Sequence, residues 1–117
     1  MKNIAILLTK EPYGEINAAE AVRHALGAVS DEIGVSLLLT GGGALLAAKG
    51  QDETGTGFTN LGGALKDCVD MGVSVGADKD SLVKAKLDKD DMIEGVEVMD
   101  SSKMAEVLKA ADQTMIF

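Results

Sequence analysis

The sequence is poor in the residue types on which much protein chemistry depends. Its 117 residues include one cysteine, one histidine, one proline and no tryptophan, and aromatic side chains make up 3% of the chain. A single cysteine excludes an internal disulfide framework and a cysteine-rich metal site, and a single histidine leaves no histidine cluster. So few aromatic side chains also argue against a surface on which nucleic-acid bases stack. The sequence therefore predicts no metal site and no cofactor.

Charge and hydropathy exclude further classes of protein. Nineteen acidic against eleven basic residues give a net charge of −8, which repels nucleic acid and anionic membranes, so we expect neither as a partner. The apolar run at residues 4–8 is too short for the core of a signal peptide, and no segment approaches the roughly 20 apolar residues of a membrane span. We therefore expect a cytoplasmic protein. The length and the hydrophobic content of 46% predict one globular domain over residues 1–117.

Apolar runs alternate with helical periodicity along the chain. Buried strands are predicted at residues 2–9, 35–39, 73–75, 96–98 and 114–117. Helices are predicted at residues 15–29, 44–49, 61–71, 81–84 and 102–111. Strict alternation of strand and helix indicates a mainly parallel sheet between two helix layers, joined by right-handed crossovers. The predicted fold is therefore a three-layer α/β/α sandwich with about five strands.

Three consecutive glycines, Gly41, Gly42 and Gly43, follow the second predicted strand. Glycine permits a positive φ, so the chain can turn sharply from strand to helix and leave N–H groups free at the helix start. The glycines lack the spacing of a dinucleotide fingerprint and the Lys-Ser/Thr pair of a P-loop. The pattern favours a structural turn, and binding of a small anion or nucleotide is the alternative.

The turns after the first three strands form the predicted ligand pocket. The carboxyl ends of parallel strands meet at one edge of a sheet, which is where α/β proteins bind ligands. The turns after the third and first strands also supply polar side chains to such a pocket. The candidate residues are Lys10, Tyr13, Gly14, Gly41, Gly42, Gly43, Gly76, Ala77 and Asp78.

Two further features have a structural and a chemical interpretation. Cys68 shares a helix face with leucines and lies near the carboxyl end of that helix, where the helix dipole disfavours a thiolate. We expect a buried thiol with an ordinary or raised pKa, and a reactive thiol is the alternative.

Glu20 and His24 lie four residues apart on the first helix. They are interpreted as a solvated pair, because no second carboxylate or nucleophile accompanies them.

Three stretches in a particular order carry a resemblance to a known family. Residues 11–26 contain Pro12, Tyr13 and Gly14 in a turn that precedes an acidic residue and a helix. Residues 37–46 contain a strand, the glycine turn and a helix, and residues 72–82 combine with residues 110–117 as the third stretch. In order and spacing they resemble the DsrE/DsrF-like family of small sulfur-relay proteins, and most of all its TusC/DsrF branch.

The resemblance implies a small α/β/α sandwich that assembles as a trimer or hexamer. It also implies that active subunits carry sulfur as a persulfide on a cysteine just after the third strand. This sequence has Gly76, Ala77 and Asp78 there, without a thiol. We therefore expect a non-catalytic homo-oligomer, linked to sulfur metabolism, that binds a small ligand or a partner such as another sulfur-relay protein. The alternatives are a sulfurtransferase or sulfur carrier that uses Cys68, and a binder of small anions or nucleotides at the glycine turn.

Overall fold

A computed structural model describes residues 3–9, 17–48 and 61–117 and confirms the α/β sandwich. Five strands form one sheet: β1 (Asn3–Leu8), β2 (Gly34–Leu39), β3 (Ser74–Asp78), β4 (Val96–Met99) and β5 (Gln113–Ile116). Four α-helices accompany them: α1 (Asn17–Ser30), α2 (Leu61–Asp70), α3 (Lys79–Lys84) and α4 (Ser101–Ala110). Two 3₁₀ helices cover Gly41–Ala47 and Lys89–Asp91.

The order of the strands places the helices on both faces of the sheet. The order is β4-β3-β2-β1-β5, and every pairing is parallel. The chain runs outward from β1 to β4 and then returns to the other side of β1. Right-handed crossovers place the helix of the return path on the opposite face from the others. Accordingly, α1 and α2 pack on the face that carries Ile6 and Leu37, whereas α4 packs on the face that carries Leu38 and Met99.

The central strands are apolar because both of their faces are covered. In β2, Leu37, Leu38 and Leu39 follow one another without alternation, and all three are fully buried. Such runs are typical of parallel strands between two layers of helices. The helix predicted over residues 15–29 is present as α1, with Val22 buried and Leu26 and Val29 partly buried against the core as predicted. Ala19, predicted on the same inward face, is exposed, and Ala25 is buried in addition.

The helix predicted after β2 was wrong in its type and in its bounds. The helix expected at residues 44–49 is instead the 3₁₀ helix Gly41–Ala47, which includes the glycines, and of the three glycines only Gly41 has a positive φ, +54°. Gly43 is needed for a different reason. A Cβ at Gly43 would lie 2.3 Å from the carbonyl oxygen of Leu8, so only glycine lets this turn approach β1 so closely.

The end of β3 was also predicted wrongly. Gly76 and Ala77, expected in the corner after the strand, are buried inside β3. A Cβ at Gly76 would lie 2.6 Å from the sulfur of Met99, so this glycine makes room for a side chain of the neighbouring strand. The corner falls at Asp78, the last residue of β3 and the N-cap of α3.

Within the described ranges, no helix has the length and apolar character that crossing a membrane would require.

The glycine contacts predict opposite effects of the same substitution at two sites. Gly43→Ala should lower the free energy of unfolding by about 1–3 kcal/mol, because the new methyl group would overlap with the backbone of β1. Gly27→Ala in α1 is the matched control, since, apart from its chain neighbours and the nearby backbone of α1 itself, no described atom lies within 4 Å of the position that its Cβ would take. It should raise stability by up to about 1 kcal/mol through helix propensity. Urea denaturation measures both, and equal stability of the two variants would contradict the packing described at Gly43.

Candidate functional site

A hydrogen-bond network joins the ends of β2 and β3 at the edge where the pocket was predicted. The N–H of Gly41 donates to Oγ of Ser81 at 2.8 Å, and the Ser81 hydroxyl donates to Oδ2 of Asp78 at 2.6 Å. The backbone N–H of Ser81 donates to the same carboxylate oxygen at 3.1 Å, which caps α3. These hydrogen bonds connect Gly41 and Asp78, two of the predicted pocket residues. Ser81, which links them, was not predicted.

This network occupies groups that an anion would require. The N–H of Gly41 is already bonded to Ser81, and the N–H of Gly43 donates to the carbonyl of Thr40 at 2.9 Å. The Asp78 carboxylate beside the turn adds a negative charge that repels anions. These contacts weigh against the binding of an anion or nucleotide at the glycine turn.

The predicted pocket is described only in part. Gly76 and Ala77 are buried inside β3, whereas Asp78 stays partly accessible at the edge of the sheet. Lys10, Tyr13 and Gly14 lie outside the described residues. A ligand pocket at this edge therefore stays a prediction.

Cys68 lies in the core between α2 and α1. Its side chain is fully buried, and its sulfur is 4.0 Å from the carbonyl oxygen of Val22. Burial raises the pKa of the Cys68 thiol to about 11, and the charge of neighbouring Asp67 acts in the same direction. The expectation of a buried thiol is thus confirmed. A carrier thiol needs the reverse, namely solvent access and a lowered pKa.

Glu20 organises two basic side chains on the outer side of α1. Arg23 donates a hydrogen bond to its carboxylate, which is 4.0 Å from Nδ1 of His24. The same nitrogen lies 2.7 Å from the backbone oxygen of Glu20. The His24 ring also packs against Phe117, with the ring centres 5.3 Å apart. His24 and Glu20 are both partly exposed, in keeping with the solvated pair expected from their spacing.

A groove that was not predicted lies beside this pair. It has a volume of about 380 Å³ and runs between α1 and the side of the sheet formed by β1 and β5. Its lining consists of Ile4, Ile6, Arg23, His24, Gly27, Ala28 and Met115. The signal available in the sequence was Gly27, a glycine inside a helical pattern where no turn is needed. In the described parts of the chain, no three His, Cys, Asp or Glu side chains are grouped so that they could hold a metal ion.

Comparison with known proteins identifies the family. The model of the DsrE/DsrF-like family matches residues 2–117. The chain is 29% identical over 132 residues to the intracellular sulfur oxidation protein DsrF of Allochromatium vinosum, covering 100% of this chain and 97% of that protein. It is also 29% identical to an uncharacterised protein of Methanopyrus kandleri, over 97% of this chain and 93% of the relative. The chain belongs to the DsrE/DsrF-like family.

Solved structures share the fold. The ychN protein from E. coli superposes with a TM-score of 0.91 at 24% identity and is covered completely, as is this chain. A protein of unknown function from Methanobacterium thermoautotrophicum superposes with a TM-score of 0.72 at 14% identity, covering 97% of this chain and 99% of that one. At these identities the likeness concerns the fold alone.

The buried thiol predicts a specific dependence of stability on pH. The pKa of Cys68 is about 11 in the folded chain against a reference value of 9.0, so the unfolded chain loses this proton first as the pH rises. The stabilising contribution is complete below pH 9 and is lost toward pH 11, at no more than about 1.4 kcal/mol per pH unit. Urea denaturation should therefore show a steeper loss of stability across this interval for the native sequence than for Cys68→Ala. Parallel curves would contradict the shift.

The network at the strand ends predicts that Ser81 is structural. Ser81→Ala removes the acceptor of the Gly41 N–H and one donor to Asp78, and should cost about 1–2 kcal/mol of unfolding free energy. Ser102→Ala, at an exposed position in α4, is the matched control and should change stability by less than about 0.5 kcal/mol. Thermal and urea denaturation test both variants. A neutral effect of Ser81→Ala would mean that the network contributes nothing to stability.

Proposed function

We propose that this protein is a non-catalytic DsrE/DsrF-like member that assembles with itself and binds a small ligand or a partner protein. The proposal takes residues 1–117 as one domain of this family and places it in the cytoplasm, in the setting of sulfur metabolism. Partners would include other sulfur-relay proteins. The name of the Allochromatium vinosum relative, an intracellular sulfur oxidation protein, supports that setting.

One observation carries the proposal: the thiol is in the wrong place for sulfur transfer. The last three residues of β3 are Gly76, Ala77 and Asp78, and none of them has a sulfur atom that could form a persulfide. The chain's single sulfhydryl, Cys68, is fully buried in α2 with a pKa raised to about 11. A protein without an accessible, acidic thiol cannot accept and release sulfur through a persulfide step.

Self-assembly is the second part of the proposal, as a homotrimer or hexamer. Exposed large apolar side chains on both faces of the sheet support it, because association of subunits can remove such surface from water. Ile116 is 70% exposed on the α4 side of the sheet, where its register partner Leu7 is only partly buried. Val83 in α3 is 69% exposed. Sedimentation velocity over a range of concentrations tests the assembly, and a monomer throughout would remove this part of the proposal.

The absence of sulfur transfer is tested by intact mass. After exposure of the native protein to a persulfide donor, we expect no added sulfur, and alkylation of Cys68 only after unfolding, because a fully buried thiol is inaccessible. Lys79→Cys supplies the positive control, since it places an exposed thiol directly after β3. That variant should gain one sulfur and react with the alkylating agent while folded. One sulfur added to native Cys68 would instead establish the carrier alternative.

A further inference from the structure

The groove beside β5 exists because α1 does not cover the edge of the sheet. α1 packs against β1 and β2, whereas β5 lies beyond β1 at the end of the strand order. Ile4 of β1 and Met115 of β5 therefore form an apolar floor beside the helix, with the fully buried Ile6 beneath it. The volume of about 380 Å³ lies within the range of roughly 300–1,000 Å³ that small-molecule sites occupy.

Gly27 keeps this groove open at a cost to the helix. It lies in the interior of α1, where glycine is less favourable than alanine by up to about 1 kcal/mol. Its φ is not in the positive range, and, apart from its chain neighbours and the nearby backbone of α1 itself, no described atom lies within 4 Å of a Cβ built on it. Neither backbone conformation nor close packing therefore requires glycine here, unlike at Gly43 and Gly76. A side chain at this position would project into free space on the wall of the groove.

The polar groups of the groove are both on one wall and have defined hydrogen-bonding roles. A carbonyl oxygen can only accept, so Nδ1 of His24, 2.7 Å from the backbone oxygen of Glu20, carries the proton. In the neutral ring, Nε2 is then left as an acceptor. Arg23 offers further guanidinium N–H donors beyond the one that bonds Glu20. One acceptor and one donor on the same wall suit a hydroxyl group, which both donates and accepts.

We propose that the groove lined by Ile4, Ile6, Met115 and Gly27 binds a small apolar alcohol or phenol, whose hydroxyl donates to Nε2 of His24 and accepts from Arg23. Glu20 acts as a positioning residue, since it holds both basic side chains at the groove. This site differs from the strand-end pocket of the proposed function. It lies at the side of the sheet, next to β5, and the two can succeed or fail independently.

The test uses 4-propylphenol as the probe and isothermal titration calorimetry on the full chain. We expect saturable binding with one site per chain. Gly27→Phe should weaken it at least tenfold by filling the groove, while Gly27→Ala, which adds only a methyl group, should retain it. Circular dichroism and thermal denaturation establish that both variants are folded. Equal affinity of the native protein and a folded Gly27→Phe variant would overturn the proposal.

A second probe tests the polar contact without changing the protein. 4-Propylanisole has the same apolar body but a methylated oxygen, so it cannot donate to His24. We expect it to bind about tenfold more weakly, as the loss of one hydrogen bond from a partly buried acceptor predicts. Equal binding of both probes would overturn the hydroxyl assignment. Absence of probe binding, with concentration-dependent association that Gly27→Phe abolishes, would instead assign the groove to a second copy of the chain.

Discussion

The handedness of the crossovers is the constraint from which the other features of this protein follow. Four parallel strands laid down in one direction, β1 to β4, oblige their connecting helices to share one face of the sheet. The return to β5 then forces α4 onto the other face and leaves β5 outside the cover of α1. The core on both faces of the sheet and the groove beside β5 thus both follow from the return of the chain from β4 to the far side of β1. The strand-end network has a local cause, the contact of the β2 turn with α3.

Small residues shape the molecule where these layers meet. Gly43 admits the backbone of β1, and Gly76 admits the side chain of Met99. At Gly27, by contrast, no described side chain or neighbouring strand occupies the space that a Cβ would take. Glycine thus serves close packing at two of these positions and leaves a concave surface at the third. Cys68, in contrast, fills space as a small apolar residue would, and the same burial that stabilises the core separates its thiol from solvent and raises its pKa.

The five strands, the four α-helices and the layering of the sandwich could be predicted from the sequence. Apolar periodicity was enough for the longer elements, whereas the short helix α3 was predicted from the aspartates that could cap it. The errors arose at glycines. A glycine in the sequence is a turn signal. Gly76 is nevertheless in a strand, where its missing side chain makes room for Met99, a residue 23 positions further along the chain. Ser81 and the groove were missed for the same reason. Ser81 bonds to a glycine 40 positions earlier, and the groove lies between β1, α1 and β5. A local sequence pattern does not predict such contacts between distant elements.

The position of β5 has a consequence for the solution behaviour of the chain. This four-residue strand pairs with β1 and lies between it and solvent. β1 has the sequence NIAILL, an apolar strand whose uncovered edge would offer unpaired N–H and C=O groups to any other extended chain. Detachment of β5 would therefore turn β1 from a central strand into an edge strand that can pair with another chain. Conditions that loosen this short pairing, long before global unfolding, are those under which intermolecular β-pairing and aggregation should begin.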